Sequence, residues 1–158
     1  RWFISHWWSD RLFDFVKCVE AQAKFRGLPG STGMWCWQMA RRPHCLDEVV
    51  YEHPSLMSFG RAIRQCEGFL LILSGKYDKT SSASTTFSRL WCMLETYTAL
   101  NTDDLLIDLA TRRGLEAQVL TDGLTAAELI QDEESPGKGR QAKTTRESSF
   151  PISVLEEA

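Results

Sequence analysis

One carboxylate stands out by its company. In Ser88-Arg89-Leu90-Trp91-Cys92-Met93-Leu94-Glu95, Trp91 and Glu95 are four residues apart, so on a helix they stack one turn apart on the same face. Two opposing effects act on such a carboxyl: desolvation beside an indole raises its pKa, and a nearby helix N-terminus lowers it. A lone Glu in that position can accept hydrogen bonds from sugar hydroxyls or stabilise a developing cation. The same residue also fits a solvated charge on a helix surface. Small polar groups stand beside aromatics in two other runs, Ser5-His6-Trp7-Trp8 and Ser74-Gly75-Lys76-Tyr77. A ligand with hydroxyls and flat rings would use such runs, although His6 equally fits a partly buried structural histidine. Other chemistries lack their motifs: there is no G-x-G-x-x-G and no G-x-x-x-x-G-K-[ST]. His44-Cys45 with the distant His6 and His53 does not have the spacing of a zinc site, so no metal is expected.

A coarse reading of the chain supplies elements to hold these groups. Trp2-Phe3-Ile4-Ser5 is a short first strand. Ser9 can cap the helix that follows, whose apolar stripe is Leu12, Val16, Val19 and Ala23. Gly27-Leu28-Pro29-Gly30 stops it. Residues 34–39 are aromatic-rich and strand-like, with Trp35 and Trp37 assigned to sheet packing. A second helix carries Leu56, Phe59, Ile63 and Cys66 on one side. Phe69-Leu70-Leu71-Ile72-Leu73 is apolar on both faces, which places it in the middle of a parallel sheet covered by helices on both sides. A helix over 88–100 has Leu90, Leu94 and Tyr97 as its expected core stripe. Leu105-Leu106-Ile107-Asp108-Leu109 is a strand, 118–120 a weaker one, and Thr125-Ala126-Ala127-Glu128 has capping-box form. This alternation predicts a doubly wound α/β fold with a parallel sheet in three αβα layers. In the flavodoxin-like strand order 2-1-3-4-5, ligands bind beyond the carboxyl ends of the first and third strands. The Ser5 and Ser74 runs leave the sheet there.

Composition sets outer limits. The chain has 158 residues, 43% hydrophobic and 25% charged, which describes one globular domain able to bury roughly 68–70% of its unfolded surface. Sixteen of the seventeen aromatics lie at or before Tyr97, and residues 101–158 carry a net charge of −6. The expected division is an α/β domain over 1–130, a mobile loop or linker over 131–149, and the start of a C-terminal helix or next element over 150–158. A net charge of −3 argues against a nucleic-acid partner. No run approaches the ~18 apolar residues of a membrane span. With no initiator Met and no signal-peptide pattern, the chain reads as part of a longer protein. Five widely spaced cysteines without C-x-x-C suit a reducing, cytoplasmic setting.

Four pieces, in order, resemble a Toll/interleukin-1 receptor (TIR) domain. Phe3-Ile4-Ser5-His6-Trp7-Trp8-Ser9-Asp10 is similar to the family's opening box. Phe59-Gly60-Arg61-Ala62-Ile63-Arg64-Gln65-Cys66 resembles the helix before its third strand, and Phe69-Leu70-Leu71-Ile72-Leu73-Ser74 with Tyr77 resembles that strand and its exit. Trp91-Cys92-Met93-Leu94-Glu95 matches the W-C-x-x-E of plant-type members. Val119-Leu120-Thr121-Asp122-Gly123 and Phe150-Pro151 extend the likeness to the divergent TIR-like domains of unicellular eukaryotes such as dinoflagellates.

Many TIR domains hydrolyse the nicotinamide–ribose bond of NAD⁺ when they assemble, and their catalytic Glu matches Glu95. The resemblance thus implies NAD⁺ as substrate with no resident cofactor. Ser5, His6, Trp7, Ser74 and Trp91 would line the nicotinamide–ribose pocket, and residues 40–54 would form the loop that helps complete a neighbouring domain's site. Ser74 and Trp91 stand 17 positions apart, about twice the family's gap, and Thr96 replaces its usual Leu. The other implied roles are a non-catalytic signalling or oligomerisation module that recruits itself or other TIR-like domains, and a nucleotide sensor without turnover.

Overall fold

The computed structural model describes residues 1–40, 58–73, 86–113 and 115–150. Among these residues, five strands form one sheet: β1 (Trp2–Ser5), β2 (Met34–Cys36), β3 (Gly68–Leu73), β4 (Leu106–Arg113) and β5 (Glu116–Leu120). Their order is β2-β1-β3-β4-β5, the flavodoxin-like arrangement. β1 runs parallel to both neighbours, with Phe3 level with Trp35 and Phe69, and β4 runs parallel to β3. The sheet is parallel as expected except at the edge, where β5 is antiparallel to β4 and pairs Leu120 with Leu109. Two residues separate these strands. That is enough for a hairpin, whereas a parallel crossover needs a dozen or more.

Among the described residues, six helices cover the sheet: α1 (Leu12–Arg26), α2 (Trp37–Ala40), α3 (Ser58–Ile63), α4 (Leu90–Leu100), α5 (Ala126–Glu134) and α6 (Lys138–Ser148). Side chains alternate across a strand, and the two cores follow that alternation. Trp2, Ile4, Leu70 and Ile72 meet Cys18 of α1 on one face. Phe3, Phe69, Leu71 and Leu73 meet Phe59 and Ile63 of α3 and Ala99 of α4 on the other. Every residue of β3 is buried, as its unbroken apolar run predicts. The result is three layers, αβα.

Several local expectations change. Residues 34–39 are not one strand, because β2 ends at Cys36 and the chain turns helical at Trp37. α1 is capped by the backbone of Arg11 without a side-chain bond, so Ser9 does not cap it. Its inward face is Asp14, Cys18 and Gln22, while Leu12 and Val16 are exposed. The polar groups face inward because β4 supplies their partners. Gln22 Nε2 and Arg26 Nε each donate to Asp108 Oδ2 at 3.0 Å, Arg26 Nη2 donates to Oδ1 at 2.6 Å, and Arg112 pairs with Asp14. The stop at Gly27 is as expected: it takes the left-handed conformation, φ 64°, and its N–H meets the Ala23 and Lys24 carbonyls.

Residues 131–149, expected as a loop, are mostly helical. α5 starts with the predicted capping box, Thr125 with Glu128, and runs to Glu134, and α6 then folds back against it. Arg146 on α6 takes the place of an apolar anchor. Its Nε donates to Glu128 Oε1 at 2.8 Å, its Nη1 to the Val119 carbonyl at 3.0 Å and its Nη2 to Thr121 Oγ1 at 3.1 Å. Gly139 makes the close approach possible, since a Cβ there would lie 2.1 Å from the Glu128 carbonyl oxygen. Phe150 is buried in the α3/α4 core. Residues 151–158 lie outside the described residues.

Candidate active site

β1 delivers Ser5 to the carboxyl edge of the parallel strands, and α4 packs against β1. There Ser5 Oγ donates to Glu95 Oε2 at 2.5 Å. Glu95 is 5% exposed, and burial pushes its carboxyl up to about 7 although the Ser5 hydrogen bond pulls the other way. Glu95 is the sixth residue of α4, beyond the first turn in which the helix dipole acts strongly. Desolvation therefore wins.

The neighbouring groups are quiet. Cys92, one turn before Glu95, is held up at about 11, by burial first and then by the charge of Glu95. Its Sγ donates to the His6 carbonyl at 3.5 Å. Burial also raises the Cys36 thiol, so neither cysteine offers the thiolate that nucleophilic attack requires. Burial lowers the pKa of His6, and its bond to Gln38 offsets this only in part. An amide oxygen can only accept, so His6 Nε2 carries the proton toward Gln38 Oε1 at 2.9 Å, leaving Nδ1 to accept from Cys36 Sγ at 3.7 Å. His6 is thus a neutral ring held on both sides, which is the structural role.

Beside this cluster is a cavity of about 330 Å³, at the small end of ligand pockets. Four indoles line it, those of Trp7, Trp8, Trp37 and Trp91, together with His6, Arg89 and Cys92. Trp37 packs between Trp8 and Trp91, with ring centroids 5.3 and 5.1 Å away, and the Arg89 guanidinium lies 4.8 Å over the Trp7 ring. A cavity of about 430 Å³ elsewhere is walled by Phe69, Leu71, Ile107, Leu109 and Leu120. Among the described residues, Asp122 is its one ionisable lining group, so it offers little chemistry.

Of the six site residues expected from the sequence, Ser5 and Glu95 are in direct contact, and His6, Trp7 and Trp91 line the indole cavity. Glu95 and Ser5 do not line it themselves, but their neighbours Cys92 and His6 do. Ser74 lies outside the described residues, as do residues 41–54 of the expected assembly loop. Trp8, Trp37 and Arg89 are additional. Alternation with Trp35 predicts Trp37 in the sheet, and the strand-to-helix change at Trp37 turns it toward the cavity instead. Trp35 does pack on the sheet, stacked on Phe3 at 4.7 Å. Among the described residues, no group of three or more His, Cys, Asp or Glu is placed to hold a metal ion, and no helix is long and apolar enough to cross a membrane. The chain matches no protein-family model, no curated protein and no solved structure.

Proposed function

We propose that the chain is a TIR-like domain that hydrolyses the nicotinamide–ribosyl bond of NAD⁺ on self-association, with Glu95 as the catalytic residue. The observation that carries this reading is the buried Ser5–Glu95 contact beside a cavity of four indoles. The nicotinamide ring of NAD⁺ is flat and cationic, so it suits stacking on indole faces. Arg89 supplies a cation for a phosphate oxygen. A carboxyl whose pKa is about 7 is half ionised at neutrality, and a cation brought beside it favours the ionised form. The Glu95 carboxylate then holds the ribose hydroxyls and stabilises positive charge on the sugar as the C1′–N bond breaks. The bonding pair goes to the nicotinamide nitrogen, which departs neutral and needs no general acid. Water adds at C1′ and releases a proton, giving ADP-ribose. In this reading the protein works in the cytoplasm, where Cys18, Cys36, Cys66 and Cys92 stay reduced.

One observation favours a second reading, a non-catalytic signalling or oligomerisation module. Glu95 is almost fully buried and does not line the cavity. Incubation with NAD⁺ at high protein concentration, with product identification, separates the two. The catalytic reading expects nicotinamide with linear or cyclic ADP-ribose from the parent chain, and none from a folded Glu95→Ala variant. Equal turnover in both ends the assignment of Glu95. Assembly without loss of NAD⁺ leaves the module.

A further inference from the structure

α4 has its amphipathicity inverted. Its one charged residue, Glu95, points inward. Its outer face is Leu90, Met93, Tyr97 and Leu100, exposed by 69, 45, 64 and 68%. A helix that is apolar all round belongs in an interior, and a contiguous exposed apolar stripe marks an interaction surface. On α1, exposed Phe13 is different, because it has the Lys17 ammonium and the Arg112 guanidinium over its ring. We propose that the outer face of α4 is a homodimer interface, in which two copies pack α4 against α4, antiparallel, about a two-fold axis.

Two features commit the surface to a second copy. The stripe is spaced 3-4-3, which reads the same in both directions. An antiparallel mate therefore sets Leu90 opposite Leu100 and Met93 opposite Tyr97, an isologous contact with a thioether against an aromatic ring. Charge follows the same symmetry: Arg89 precedes the helix and Asp103 and Asp104 follow it, all three exposed. Antiparallel packing brings the basic end of each helix over the acidic end of the other, whereas parallel packing would oppose like charges. At about 16 Å long, the helix supplies only part of the ~800 Å² per partner of a standard interface, so the dimer forms at high concentration. This inference deepens the self-association in the proposed function, but the surface itself stands whether or not NAD⁺ is turned over.

Sedimentation velocity of the 158-residue chain over a concentration series is the test. The parent is expected to shift from monomer toward dimer. Met93→Glu, with an unchanged circular dichroism spectrum, is expected to raise the dissociation constant roughly tenfold or more. Mixed Leu90→Cys and Leu100→Cys copies should cross-link with each other and not with themselves. A parent monomeric at every concentration overturns the proposal, as does a dimer that Met93→Glu leaves intact or one in which Leu90→Cys copies link to each other. NAD⁺ turnover is read separately: an intact α4 dimer without turnover ends the catalytic reading alone, and turnover by a strictly monomeric chain ends the interface and the dependence on self-association while leaving the assignment of Glu95 standing.

Discussion

At the scale of single residues, the account depends on how burial sets the charge of Glu95. Its carboxyl is raised from an ordinary 4.5 to about 7, so the folded chain holds that proton more tightly than the unfolded chain does. The associated stability is fully present below the ordinary carboxylate range and is lost as pH rises through about 7. Glu95→Gln removes this dependence. The unfolding free energy of the parent relative to Glu95→Gln should therefore fall by about 3 kcal/mol between pH 4 and pH 8, as read from denaturant titrations of both. Parallel pH profiles would place the carboxyl in solvent. The sequence brought Glu95 into view through its spacing from Trp91 and its likeness to W-C-x-x-E, and Ser5 through the strand exit. Neither feature disclosed their hydrogen bond, because contact across the fold depends on how α4 is rotated on β1. The expected core stripe of Leu90, Leu94 and Tyr97 put that rotation wrongly. Leu90 and Tyr97 are exposed and Leu94 is half-buried, while Cys92, Glu95, Thr98 and Ala99 face in.

Among the elements, α1 and α6 repeat this lesson with polar groups. Apolar periodicity places α1 only in part: Val19 packs against the core, but Leu12 and Val16 are exposed while Asp14 and Gln22 face in, satisfied by Arg112 and Asp108 on β4. Such pairs are invisible until the strand is placed beside the helix. α6 has no large apolar side chain of its own, and composition therefore assigned its residues to a loop. What docks it is the fork of Arg146 on Glu128, with Gly139 allowing close approach. Removing one partner of a buried pair leaves the other charge uncompensated. Arg146→Ala should cost about 3 kcal/mol in urea unfolding. A mobile linker would lose almost nothing from the same change. By contrast, the capping box of α5 was fully legible, because its signal is local: Thr125 and Glu128 bond each other's backbone within one turn.

For the molecule as a whole, the strand order followed from one run of residues. Phe69 to Leu73 is apolar at every position, so it needs helices on both faces and belongs at the sheet centre. The antiparallel edge was hidden because the strand readings were too short, ending at Leu109 and beginning at Gln118 where β4 and β5 extend to Arg113 and from Glu116. Eight residues, 110–117, then stand between the two strands in place of the two-residue hairpin. This sheet sets Ser5 at the edge where α4 can bring Glu95 and Trp91 together, and the indole cavity opens beside them. If Glu95 is the group that holds the ribose and balances its charge, its ionised form is the working one. The most direct measurement is the rate of nicotinamide release from NAD⁺ as a function of pH, at a protein concentration where the chain is assembled. At subsaturating NAD⁺, where the free chain's ionisation governs the rate, the account predicts a rate that climbs through pH of about 7 in the parent chain and is absent at every pH in Glu95→Gln. Release by Glu95→Gln at the parent's rate would contradict it.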